Sequence, residues 1–158
     1  MADIKTKYGS SGQAITVTLA SLANQTARES AAIDNSGNLF LGALVQLGIK
    51  TGASVSDDKC VYVYAYGSAD GGGIYSGNAS GQDAVFGGNI NNLKLIGVID
   101  TPKAATTYES HPMNVANAFG GIMPEKWGIV IYNKTGDALD SSEASFTKVY
   151  QGVWAQSV

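Results

Sequence analysis

Residues 38–51, NLFLGALVQLGIKT, are the longest nearly unbroken apolar run in the chain, and the turn chemistry of Gly52, Ala53 and Ser54 follows them. Taken in twos, Leu39, Leu41, Ala43, Val45, Leu47 and Ile49 fall on one face. Phe40, Gly42, Leu44, Gln46, Gly48 and Lys50 fall on the other, which turns polar toward its end. At the helical period of about 3.6 residues, Leu39, Ala43 and Gln46 would share a stripe, and two glycines would sit inside the helix at about 1 kcal/mol each. The strand reading prevails. A strand this long with one face wholly apolar is expected at the centre of a sheet, where others pair with it. Its glycines leave room for close approach, and Gly42 or Gly48 marks the place for a bulge.

Working outward, residues 14–22, AITVTLASL, alternate cleanly: Ile15, Val17 and Leu19 point one way, Thr16 and Thr18 the other, as in a half-buried strand. Residues 28–34 are short, polar and bounded by turn residues, and read as an edge or near-edge strand. Residues 60–66, CVYVYAY, place Cys60, Tyr62, Tyr64 and Tyr66 on one face and Val61, Val63 and Ala65 on the other. The glycine- and asparagine-rich connection over residues 67–92 is far longer than an ordinary loop. Within it Ile74-Tyr75 and Ala84-Val85-Phe86 are expected to pair as a small flap. Strands are expected again at 93–100 and 126–133, the latter with Trp127, Ile129 and Ile131 on one face, and at 149–156. Residues 106–113 should be extended because Pro112 biases His111 away from helix. Val115 to Phe119 should make one helical turn closed by Gly120-Gly121. The total is about eight strands with no amphipathic helix, in an all-β chain. The expected fold is a single-domain antiparallel β-sandwich over residues 14–158, most simply jelly-roll-like, with a closed barrel as the competitor. Residues 1–13, with the Gly9-Ser10-Ser11-Gly12 turn cluster, read as an extended N-terminal arm that either frays or docks on a neighbour.

Composition bounds the function. Of 158 residues, 44% are apolar, which is ordinary, but only 15% are charged, well below the usual quarter or so. Ser, Thr, Asn, Gln and Gly fill the polar positions, a surface suited to burial in an assembly. A net charge of −3 and the single arginine, Arg28, argue against a nucleic-acid groove. No apolar run reaches the roughly 20 residues that span a bilayer, and the N-terminus lacks the apolar segment of a secretory signal. The lone Cys60 excludes an internal disulfide framework and a zinc site, and fits synthesis in a reducing cytosol.

Catalytic chemistry is thin. His111 stands between Ser110 and Pro112, and a serine adjacent on a strand faces the opposite way, so no hydrolytic triad is suggested. Cys60 beside Lys59 reads as a small buried hydrophobe. The glycines of Asp70-Gly71-Gly72-Gly73 are followed by no GK[ST] and open no helix, which leaves them as loop glycines. Asp137, Asp140 and Glu143 offer oxygens for calcium in an irregular loop but lack the EF-hand pattern, and Asp57-Asp58 reads as a solvated turn. Tyr62, Tyr64, Tyr66 and Tyr75, near Asn78, Gln82 and Asp83, suit either a sugar-stacking platform or packing against a second sheet or subunit. No metal or cofactor is implied. The residues expected to carry interaction are Ile4, Lys5, Lys7 and Tyr8 of the arm, with Tyr64, Tyr66 and Tyr75.

Five stretches, TKYGSSGQAITVTLASLA, ARESAAIDNSGNLFLGALVQLGIKTG, VYVYAYGSADGG, LKLIGVID and KWGIVIYNKTG…YQGVWAQ, together covering most of the chain, resemble a small structural protein of tailed bacteriophage particles. The resemblance implies a jelly-roll-like fold, homo-oligomerisation and attachment to the head or tail, and it brings no active-site residue. The function expected from it is a non-enzymatic capsid decoration or cement protein. Such a protein would be made in the host cytoplasm, sit on the virion surface, favour a trimer and bind the major capsid protein, with no nucleic acid or membrane partner. The alternatives are a tail or head-fibre component that binds host-surface glycan through residues 67–92, and a small hydrolase on the same scaffold.

Overall fold

The computed structural model describes residues 3–56 and 58–158. In chain order its strands are β1 (Ile4–Tyr8), β2 (Gln13–Ala14), β3 (Ala27–Glu29), β4 (Ile33–Asp34), β5 (Gly42–Lys50), β6 (Cys60–Ser68), β7 (Ala84–Val85), β8 (Lys94–Asp100), β9 (Thr107–Glu109), β10 (Met113–Asn114), β11 (Lys126–Lys134) and β12 (Thr147–Ser157). They form two antiparallel sheets packed as a β-sandwich. β1 and β2 follow one edge of β12, β9 and β10 follow β5, and β3 and β4 follow β11, so each pair is one strand interrupted once. The first sheet then runs (β1/β2)–β12–β5–(β9/β10), and the second runs β7–(β3/β4)–β11–β6–β8. With the two-residue β7 set aside, the first strand pairs with the last, the second with the last but one, and so on inward. The chain is a doubled ribbon folded across both sheets.

Alternation builds the core. Ala43, Val45, Leu47 and Ile49 of β5 are fully buried and meet Val61 and Val63 of β6 and Trp127, Ile129 and Ile131 of β11. Each Val, Leu or Ile among them contributes about 1.5–3 kcal/mol by leaving water. Trp127 meets Tyr150 of β12 edge-on across the gap between the sheets, ring centroids 5.3 Å apart. The expected turn at Val115–Phe119 is a 3-10 helix, closed by Gly120 in the left-handed conformation. Cys60 is buried, as a small hydrophobe would be.

Several expectations are corrected. β5 begins at Gly42, four residues late. Asn35 clamps residue 40 on both sides, its side chain accepting from Phe40 N–H at 2.9 Å and donating to the Phe40 carbonyl at 3.0 Å. The clamp holds Leu39 at φ 53° in a turn and leaves Leu39 and Leu41 exposed. β5 carries no bulge at Gly42 or Gly48, since its register with β12 is unbroken from Gly48 to Gly42; the irregularity falls between Val63 and Tyr64 of β6 against β8. Residues 15–19 keep their alternating burial but form no ladder, because the segment crosses between sheets. Ile15 N–H donates to Lys148 in the first sheet while the Thr16 carbonyl accepts from Ala31 in the second. Carboxylates satisfy the backbone beyond: Asp83 accepts from Thr18 N–H, and Glu143 from the N–H groups of Leu19 and Ala20. The arm is no free extension either, since residues 4–8 are ordered as β1 against the end of β12. Of residues 1–13, Met1 and Ala2 lie outside the described residues, as does Asp57 of the expected acidic turn.

Candidate interaction surface

Each sheet has a face turned away from the shared core, and the two are finished differently. On the second sheet, Tyr66, Val130 and Ala27 point outward and are buried all the same, because residues 67–92 fold back over them. Phe86 and Leu93 complete this second, smaller core. The expected flap does not form: Ala84 and Val85 pair with Glu29 and Arg28 of β3, not with Ile74 and Tyr75.

Two buried or half-buried carboxylates tie the loop down. Glu29 accepts from Ser80 N–H at 2.7 Å, the Ser80 hydroxyl at 3.0 Å and Gly81 N–H at 3.2 Å. Asp83 accepts from the Thr18 hydroxyl at 2.6 Å and from Arg28 Nε at 2.7 Å. Burial pushes the Asp83 carboxyl up, but these donors outweigh it and hold the group below the ordinary carboxylate range.

This cover decides the fate of the tyrosines. Tyr66 has no exposed surface, its hydroxyl donates to the Ser30 carbonyl at 2.6 Å, and its ring lies where a Cβ on Gly128 would stand. Burial pushes its phenol pKa up. It cannot be a surface contact, which corrects its place among the expected interaction residues. Tyr75 is half-buried, edge-on to Tyr66 at 5.4 Å, and Tyr64 is half-buried in the same cluster, with its phenol pushed up by burial. The three rings form a packed layer and not an open platform. The hollow on this side, about 510 Å³, is lined instead by Tyr132, Phe86, Ile90 and Asn89.

Among the described residues the first sheet has no such cover. Leu44 and Gln46 of β5 and Val149, Gln151 and Val153 of β12 face outward, in register with Tyr8 of β1 across Val153. None of these side chains carries a charge. Two neighbouring hollows of about 290 Å³ and 170 Å³ share Leu44, and a third of about 190 Å³ shares Leu41 and Val153 with the larger one. Past Val153 the face continues onto the two-stranded ribbon of β1 and the end of β12, where Ile4 is 78% exposed and Tyr8 58%. Lys5 and Lys7 lie on the ribbon's other face, with Lys7 Nζ 5.3 Å from the centroid of Trp154, which itself stacks on Phe40 at 5.2 Å. The structure therefore groups Ile4, Lys5, Lys7 and Tyr8 on one ribbon and places Tyr64, Tyr66 and Tyr75 on the opposite side of the sandwich. The sequence reading missed Leu41, Leu44 and Val153. The signal for Leu44 was the outward parity of β5, and that for Val153 the parity of β12.

The remaining candidate chemistry is engaged internally. Ser110 is buried and its hydroxyl accepts from Leu47 N–H at 3.0 Å, while His111 is exposed at an irregularity between β9 and β10. Asp70 shapes its own glycine turn, accepting from the Ser68 hydroxyl at 2.6 Å and Ile74 N–H at 2.9 Å. Of the proposed calcium ligands, Asp137 accepts from Ser54 and Ala138, Asp140 pairs with Lys50 at 3.0 Å, and Glu143 pairs with Lys148. Among the described residues no three His, Cys, Asp or Glu side chains converge on a metal position. No protein-family model, no curated protein and no solved structure matches this chain, so the two unlike faces and the ribbon carry the functional argument.

Proposed function

We propose that this protein is a non-enzymatic structural component of a tailed-bacteriophage virion, a capsid decoration or cement protein that bridges major capsid subunits on the particle surface. One observation carries the reading: the outer face of the first sheet is open and uncharged from Leu44 and Gln46 across β12 to Tyr8 and is continuous with an exposed ribbon, while residues 67–92 cover the centre of the other face and leave Leu95 and Val98 at its β8 edge exposed. A contiguous exposed apolar patch that carries a tyrosine and lacks charge at its centre fits a surface that becomes buried between chains. The inward pairing order of the strands supports a jelly-roll-like arrangement of the sandwich, the fold implied by the resemblance to phage virion proteins. A homotrimer on a local three-fold axis would present three ribbons to the surrounding subunits. Each contact of standard size buries about 1,600 Å² in total, and closure of the ring adds avidity.

Quantitative mass spectrometry of purified particles tests the assignment. A decoration protein is present in many copies per head, and heads that lack it open at a lower temperature. A count of only a few copies per particle overturns the reading in favour of a tail or fibre position.

A further inference from the structure

The ribbon has an unused edge. Asp3 and Val158 exchange both backbone hydrogen bonds, at 3.1 and 2.9 Å, and Gly9 N–H donates to the Gly152 carbonyl at 2.8 Å. In an antiparallel ladder such paired residues alternate with residues whose backbone groups point the other way. Lys5 and Lys7 thus direct their N–H and C=O groups toward β12, and Ile4, Thr6 and Tyr8 direct theirs outward, where no described strand pairs with them. The side chains alternate across the same strand: Ile4, Thr6 and Tyr8 extend the uncharged face, while Asp3, Lys5 and Lys7 lie on the other. Lys5 has no ion-pair partner among the described residues.

A second copy fits this edge poorly. Two-fold pairing centred on Thr6 sets Lys5 opposite Lys7 of the other copy. Pairing centred on Lys5 sets Lys5 opposite itself, with an Asp3–Lys7 contact on either side. Both registers bring like charges to about 5 Å, which is destabilising across a strand pair, and the register centred on Ile4, which sets Asp3 opposite Lys5, engages only residues 3–5 of the described strand. Lysines on an open edge are a known device against self-pairing. A strand of opposite charge meets no such barrier at Lys5 and Lys7. We propose that the free edge of β1 accepts an extended segment of a partner chain in which acidic and apolar residues alternate. Its backbone bonds the outward groups of Ile4, Thr6 and Tyr8, its acidic side chains lie beside Lys5 and Lys7, and its apolar side chains extend the Ile4–Tyr8 face. This deepens the assembly reading given above, since it names the chemistry of the segment that the ribbon would capture.

The test uses the full chain and two short capped peptides, one alternating valine with glutamate and the other valine with lysine, read by hydrogen exchange at single amides. The glutamate peptide is expected to slow exchange at Ile4, Thr6 and Tyr8 at least about tenfold, and the lysine peptide to leave it unchanged. The double variant Lys5→Glu, Lys7→Glu should reverse that preference. Equal slowing by both peptides, or slowing by neither, overturns the proposal. So does protection already present in the free protein that disappears on dilution, which would make the occupant a second copy. Particle copy number does not enter this measurement, so its failure leaves the decoration reading standing, and a low copy number leaves the edge assignment standing.

Discussion

On the second sheet, Tyr66 and Val130 point away from the main core and are nonetheless fully buried under a loop that the chain supplies; on the first, Leu44 and Val153 point away from the same core and line open hollows. Both faces carry apolar residues, so hydrophobicity alone does not set them apart. Anchoring does. The loop over the second sheet is held by Glu29 and Asp83, each accepting several donors, and by the short ladder of β7 on β3. A buried carboxylate is tolerated there because its lone pairs are met, and it repays the ordering of a long glycine-rich segment. Among the described residues nothing comparable reaches over the first sheet. One outward face is covered at its centre by the chain's own loop, and the other is left open.

The comparison breaks most readily at the second core. Phe86→Ala should lower stability by about 3 kcal/mol, as large-to-small changes in packed sites do. Urea unfolding should show this as a lower midpoint at an unchanged slope, and a near-neutral result would mean that the loop is a loose cover. A smaller effect is expected with pH. Hydrogen bonds hold the Asp83 carboxylate below its ordinary range, so the stability it contributes is fully present above about pH 4, its unfolded value, and is lost as pH falls through the depressed folded value. Asp83→Asn should therefore flatten part of the loss of stability between neutral and acid solution. An identical pH profile in the variant would remove Asp83 from the anchoring argument. The smallest effect belongs to the open side: Tyr8→Ser should change the stability of the isolated chain by no more than about 0.5 kcal/mol, and on the decoration role proposed above it should weaken incorporation into particles. If Tyr8→Ser destabilised the chain as much as Phe86→Ala, the two faces would not differ as described.

Much of the fold was legible. The period-two pattern of 43–49, the tyrosine–valine alternation of β6 and the Trp127-Ile129-Ile131 row of β11 each predicted both strand and buried face, because a sheet residue's side is fixed by parity alone. Elsewhere local pattern was overruled by a distant partner. Leu39 and Leu41 continue the parity of β5, but the Asn35 side chain turns the chain at Leu39, and Leu41 reaches β12 through its N–H bond to the Val153 carbonyl with its side chain left exposed. Residues 15–19 alternate like a strand because they are buried on one side, yet their backbone partners belong to two different sheets. The candidate surface was half legible. Ile4, Lys5, Lys7 and Tyr8, expected to carry interaction, stand exposed on one ribbon, but Tyr66, expected to do the same, belongs to a core that only a loop some residues later in the chain completes.

The sequence by itself determined that this chain is an all-β sandwich, which strands cross its centre, and that no catalytic constellation is suggested by residue pattern, since these follow from periodicity and residue type. Only the tertiary structure decided which outward face is covered and which is open, and that the arm is one strand of a ribbon with a free edge. Those outcomes depend on pairings such as Glu29 with Ser80 and Tyr8 with Val153, whose members stand far apart in the chain and carry no local sign of each other.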